Sequence, residues 1–226
     1  MKRLKRYLIS RGGFETRPYR LLPALALGLL LYSCAPVRPA IPVYPGGVRS
    51  FLAASQEHYD TVRGAFNFRF KGANGHKISA EAVAIVRPGS LTVRIYHVGM
   101  LVGNLKSLAE KRGLELDYEV YRRALRKALL WWALDEYTAQ NLPGGKNKKI
   151  LIRSGNLSLL LASRTYVPVG ETIEMPGGKS LVVAYSDLRP VSGFFWYPFR
   201  ITMRYCGQRL DLKAEHIELS HSQAAS

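Results

Sequence analysis

Beyond residue 60 apolar and polar side chains alternate for most of the chain, the period of strands that bury one face. Phe66, Phe68 and Phe70 fall on one side of a strand over 65–71. Ile78, Ala80, Ala82, Ala84 and Val86 then alternate with Ser79, Glu81, Val83, Ile85 and Arg87, and Arg87-Pro88-Gly89-Ser90 turns the chain into Leu91-Thr92-Val93-Arg94-Ile95-Tyr96. That is a hairpin with a proline-glycine turn. Residues 101–108 and 114–120 predict the next pair, joined at Lys111-Arg112-Gly113, with Leu114, Leu116, Tyr118 and Val120 facing one way and Glu115, Asp117 and Glu119 the other. Runs at 149–153, 157–162, 166–175, 181–188, 199–205 and 209–219 bring the total to about eleven strands. The last carries a phase change at Glu215-His216 that marks a bulge.

Two segments follow a helical period instead. Val48, Phe51, Leu52, Ser55 and Tyr59 share one face of a first helix. Tyr121, Ala124, Leu125, Ala128, Leu129 and Trp132 share one face of a second, over 121–137, with Arg122, Arg123, Arg126 and Lys127 opposite. Strands joined by tight turns leave no room for parallel crossovers, so the sheet is antiparallel. About eleven such strands must curl to protect their edges, which predicts a mainly β fold with two or more helices: an unclosed antiparallel β-barrel, or half-barrel, with a helical lid. The basic helix reads either as that lid or as an element resting on anionic head groups, with Trp131 and Trp132 at the interface. Gly193-Phe194-Phe195-Trp196-Tyr197-Pro198 reads as a membrane-touching loop or as a plug for the barrel end.

The N-terminus belongs to a different class of segment. Residues 1–20 carry seven basic side chains against Glu15, and the apolar run 21–33 that follows is 13 residues long, short of the roughly 20 that span a bilayer. Residues 1–33 therefore read as an export signal. Leu31-Tyr32-Ser33-Cys34 resembles a bacterial lipobox, whose cysteine becomes lipidated once the signal is cut. Cys34 opens a Pro-rich stretch over 34–46 that reads as a semi-extended tether. The folded domain is expected over 47–220 and a disordered tail over 221–226.

The whole chain has 33 Lys and Arg against 16 Asp and Glu, a formal net charge of +17. Without residues 1–33 it keeps 26 against 15, so the basicity belongs to the domain as well. Phosphate-bearing lipid head groups or acidic envelope polymers are the partners this suggests, rather than nucleic acid. Two cysteines, Cys34 and Cys206, exclude a multi-disulfide module. The five histidines, His58, His76, His97, His216 and His221, show no metal-ligand spacing. No nucleophile elbow or phosphate-cradling loop occurs, and Asp117 with Glu119 reads as a solvated strand face. No catalytic residue, cofactor or metal is expected, and Cys206 reads as a free thiol in a turn.

The order lipobox, tether, helix, five strands, basic helix and six strands resembles the LolA/LolB-like lipoprotein-localisation superfamily. The most suggestive stretches are Arg87-Pro88-Gly89-Ser90-Leu91-Thr92-Val93-Arg94-Ile95 and Tyr197-Pro198-Phe199-Arg200-Ile201-Thr202. The resemblance implies an open barrel that holds acyl chains of lipoproteins or lipids in an apolar cavity. The inward side chains here would be Phe66, Phe68, Phe70, Leu91, Val93, Ile95, Leu157, Leu159, Leu161, Phe199, Ile201 and Met203, with Ala124, Leu125, Ala128, Leu129 and Trp132 as the lid. Composition alone leaves open whether those residues line a cavity or fill a core. In His97-Val98-Gly99-Met100-Leu101-Val102-Gly103 the resemblance places a membrane-contact loop at Val98, Met100 and Leu101. It also implies a non-enzymatic protein anchored through Cys34 to the outer membrane and facing the periplasm, with a periplasmic carrier protein as a further partner. The rival expectation is a structural or assembly lipoprotein that uses the same fold as a protein-binding module.

Overall fold

A computed structural model describes residues 40–104, 106–107, 110, 117–144 and 148–221. The expected signal, Cys34, the start of the tether and the last five residues lie outside these.

The described chain opens with α1 (Val48–His58), which buries Phe51, Leu52 and Ser55, the last by donating its hydroxyl to the Phe51 carbonyl at 2.7 Å. Four strands follow, β1 (Thr61–Lys71), β2 (Lys77–Arg87), β3 (Ser90–His97) and β4 (Met100–Gly103). Then come α2 (Tyr118–Leu129) and seven further strands. These are β5 (Thr138–Leu142), β6 (Lys149–Ser154), β7 (Leu157–Ala162), β8 (Pro168–Glu174), β9 (Ser180–Ser192), β10 (Phe195–Tyr205) and β11 (Gln208–Ser220).

All eleven strands form one sheet in the order β4-β3-β2-β1-β11-β10-β9-β8-β7-β6-β5, with every adjacent pair antiparallel. Two meanders thus meet where the first strand pairs with the last. β4 and β5 are the free edges, and the sheet is unclosed. The chain that joins those edges carries α2 across the inner face, and α2 roofs the half-barrel.

Local chemistry sets several of the joints. Gly89, at φ 78°, follows Pro88 in the β2–β3 turn, where the left-handed conformation suits glycine. Between β1 and β11, Ala65 pairs with His216 and Phe66 with Ala214, leaving Glu215 as the extra residue of the expected bulge. Cys206 and Gly207 form the two-residue β10–β11 turn at φ 46° and 77°, with the Cys206 thiol free and exposed.

Three expectations are corrected. Residues 118–120 are the first turn of α2 and not a strand, because the Asp117 carboxylate accepts the Val120 N–H at 3.3 Å and caps the helix. Glu119 sits in that first turn and pairs with Arg122 at 3.2 Å, so Asp117 and Glu119 do not share a strand face. The strand expected over 101–108 stops at Gly103, where φ is 128° and Asn104 and Ser107 exchange hydrogen bonds that end it. Finally, α2 ends at Leu129 and the chain then turns, so that Trp131 and Trp132 are buried and do not lie at an interface. Among the described residues the strands also number eleven, and they include β5, which was not expected; residues 114–116 lie outside the described residues.

Candidate functional site: the apolar interior beneath α2

The inner face of the sheet and the apolar stripe of α2 share one core. Tyr121, Ala124, Leu125, Ala128 and Leu129 are buried on the helix, and the small Ala124 and Ala128 let it sit close to the strands. Burying Leu125 and Leu129 contributes about 2 kcal/mol each. Of the twelve inward side chains expected, ten are buried and Leu91 and Val93 are half-buried.

They separate into two groups. Phe66, Phe68, Val93 and Ile95, with Leu125 and Leu129 above them, line a cavity of about 20 Å³ with no polar wall. Leu91 and Val93 line a second cavity of about 20 Å³ together with Asn104, Tyr118, Arg122 and Leu125. The two share Val93 and Leu125 and follow the seam between α2 and β3. Phe70, Leu157, Leu159, Leu161, Phe199, Ile201 and Met203 belong to the packed core, Phe70 meeting the Tyr121 ring edge-on at 5.8 Å. Each cavity has room for about one water, whereas a small-molecule pocket usually spans roughly 300 Å³ or more. In this conformation α2 itself fills the barrel.

An aromatic cluster closes the region where α1, the start of β10 and the end of α2 meet. Phe195 stacks on Phe51 at 6.1 Å and on Trp131 at 5.7 Å, and meets Trp132 edge-on at 4.8 Å. The segment 193–198 is therefore a plug, with Phe195 and Tyr197 fully buried, and not a membrane-touching loop. Tyr44 packs edge-on against Phe51 at 5.2 Å, so the packed unit reaches back into the stretch read as tether.

α2 is held by polar contacts that sequence reasoning missed. Its last carbonyls have no intrahelical partner and need donors from elsewhere. Tyr197 donates to the Leu129 carbonyl at 2.9 Å, Tyr185 lies 3.3 Å from that of Ala128, and Gln56 Nε2 donates to the carbonyls of Trp132 and Leu134 at 2.9 and 2.8 Å. The Trp132 indole donates to the Tyr59 carbonyl at 2.9 Å. On the outer side Arg126 reaches the Gly89 carbonyl at 3.2 Å and Lys127 reaches Asn156 Oδ1 at 2.7 Å. The helix is thereby pinned to the β2–β3 turn and to the β6–β7 turn.

Glu171 lies under this latch. It is buried, with 3% of its surface accessible, and its Oε2 accepts the Tyr185 hydroxyl at 2.6 Å, while Oε1 has no partner. Burial raises its pKa to about 7, against the opposing pull of the Tyr185 hydrogen bond and the Lys127 charge. Burial likewise pushes the Tyr185 and Tyr197 hydroxyls up and the Lys127 ammonium down. The available sequence signal was parity: Glu171 shares the inward face of its strand with Ile173.

At the far end of β3 the expected contact loop is exposed. Val98, Met100 and Leu101 are 82%, 70% and 60% accessible, and Val98 holds a φ of 51°, which turns this tip sharply. Among the described residues no cluster of potential metal ligands occurs, and no helix is long and apolar enough to cross a membrane.

No protein-family model and no curated protein sequence matches the chain. Its fold is that of an open antiparallel half-barrel roofed by α2. Among solved structures, the chain is similar to a candidate outer membrane lipoprotein-sorting protein domain from Vibrio parahaemolyticus, with TM-score 0.48 and 9% identity over 78% of this chain and 92% of that one. It is also similar to a LolA superfamily protein from Nitrosomonas europaea, with TM-score 0.47 and 10% identity over 78% and 94%. A DUF1329 family protein from Desulfovibrio piger gives TM-score 0.47 and 9% identity over 77% and 91%.

Proposed function

We propose that the chain is a lipid-anchored bacterial envelope protein whose half-barrel takes up acyl chains beneath α2 and aids lipoprotein or lipid transfer at the outer membrane. The observation that carries this reading is an interior cavity with no polar wall beneath α2. That helix is tied down by separable side-chain contacts and not by sheet ladders. If α2 lifts, Phe66, Phe68, Val93 and Ile95 lose their cover, and an acyl chain replaces it at about 0.8 kcal/mol per buried CH₂. Cys34 supplies the anchor, and the Val98, Met100 and Leu101 tip contacts the bilayer. A periplasmic carrier is the expected source of cargo. The chemistry is binding and release, so no catalytic residue or cofactor is assigned.

A second reading, a structural or assembly lipoprotein with a filled barrel, is favoured by the small cavities. Native mass spectrometry of residues 41–226, which form one compact unit, separates the two. With lipopeptide offered, the carrier reading expects a stoichiometric adduct that Phe68→Asp abolishes without unfolding the domain. A folded domain that never takes up lipopeptide would favour the scaffold. Acyl labelling of the full chain against Cys34→Ser tests the anchor.

A further inference from the structure

The outer face of the sheet, opposite the face that α2 covers, carries a charge arrangement that the acyl-binding reading does not use. Lys77 on β2 pairs with Lys71 on β1, Lys71 with Arg209 on β11, and Arg209 with Arg204 on β10. Four cations therefore stand side by side across four strands, all exposed. Two steps along the same face, Arg69 lies beside Asp211, and two steps further Lys213 lies directly opposite Arg200. Like charges in facing positions destabilise a sheet. The carboxylates present relieve little of this: Asp211 binds Arg209 at 2.8 Å and Thr202 at 2.7 Å, and Glu215 is taken by Asn67 at 2.6 Å. Among the described residues Lys71, Lys77, Arg200, Arg204 and Lys213 form no ion pair.

This face also carries a groove. Arg69, Arg200, Arg209 and Lys213 line an open groove of about 670 Å³, with Glu81 and Asp211 as its acids. Its remaining wall includes Tyr96 and Val98, so the groove runs up to the exposed apolar tip between β3 and β4. A soluble anion or acidic polymer would satisfy the cations and leave the tip in water. A neutral membrane would take the tip and strip water from the cations for no return. A bilayer with anionic head groups satisfies both, and the ring of Tyr96 suits the interfacial layer between them.

We propose that this outer face docks on a bilayer carrying anionic lipids, with the β3–β4 tip in the apolar layer and the groove's cations on the lipid phosphates. The proposal shares the tip with the functional reading above but not the interior, and it holds whether or not acyl chains enter beneath α2.

Vesicle co-sedimentation of the full chain tests it, because the N-terminal segment is common to every variant and its contribution cancels. Partition is measured on phosphatidylcholine vesicles and on vesicles with about a third phosphatidylglycerol. Arg200→Gln with Lys213→Gln removes the facing pair in the groove, and Lys149→Gln with Arg153→Gln removes two exposed cations from β6. At about fivefold per basic side chain near an anionic surface, the groove pair should cost about twenty-five-fold on anionic vesicles and nothing on neutral ones. The β6 pair should cost several-fold less, and Val98→Asp should weaken both partitions. Should the double variant fail to fold, Lys213→Gln alone carries the test with a fivefold loss. Equal losses from the two pairs would mean that only net charge acts, and would overturn the proposal. So would a wild type that does not prefer anionic vesicles. Binding of soluble polyphosphate with the same dependence on the groove pair, without vesicle binding, would reassign the face to an acidic polymer.

Discussion

At Glu171 a carboxyl group sits among apolar neighbours beneath α2, and three groups face it: the Tyr185 hydroxyl from β9, the Lys127 ammonium from α2 and, through Tyr185, the Tyr197 hydroxyl from β10. The Tyr185 proton can serve one acceptor at a time. With Glu171 protonated, the carboxylic acid donates to Tyr185 and frees that hydroxyl for the Ala128 carbonyl. With Glu171 ionised, the hydroxyl is drawn to the carboxylate at 2.6 Å and the helix end loses a donor. The folded chain holds this proton up to about pH 7, whereas the unfolded chain releases it near 4.5. The stabilisation from a raised carboxyl pKa is therefore complete below pH 4.5 and is lost as pH climbs to 7, an amount of about 3 kcal/mol. Denaturant unfolding across pH 4 to 8 should show this decline in the wild type and lack it in Glu171→Gln. A wild-type profile as flat as the variant's would refute it.

The elements divide by how far their burial is one-sided. β1, β2, β7, β9 up to Tyr185 and β10 from Phe199 alternate more and less buried positions, and their period of two was visible in the sequence for that reason. β5 escaped because four of its five residues are exposed and an edge strand of that kind leaves no pattern. The first turn of α2 was mistaken for strand because three residues are too few to display a period of 3.6, although Asp117 ahead of an apolar run was a cap signal. The latch was illegible for a different reason: Tyr197 meets Leu129 across 68 residues of chain, and Gln56 meets Trp132 across 76. The row of four outer cations was equally hidden, since each lies in its own strand and only the pairing aligns them. At this scale the test is Tyr197→Phe, which strands the buried Leu129 carbonyl. It should destabilise the end of α2 by about 1–3 kcal/mol. Amide hydrogen exchange should quicken over 126–132 and stay unchanged in β10 and β11. A uniform change across the sheet would show that the helix does not move separately.

For the molecule as a whole, the seam between β1 and β11 matters most. It joins the two meanders through eleven paired positions, and it brings residues near 61 beside residues near 220. Ending the chain after Tyr205 would divide the sheet, whereas ending it after His221 leaves every described strand intact. Thermal unfolding followed by circular dichroism should lose its cooperative transition in the first case and keep its midpoint in the second. Retained cooperativity after loss of β11 would mean that the ten remaining strands close without it. The opposite side of the half-barrel behaves differently, because no ladder joins β4 to β5. In a sealed barrel the strand number and stagger fix the girth. Here the perimeter has a gap, so the cross-section can widen by relaxing the sheet's curvature without breaking one backbone hydrogen bond. Under the carrier reading, once α2 has lifted, cargoes of unequal bulk would differ in cost mainly by this bending, and the same scaffold would be slack for one guest and taut for another.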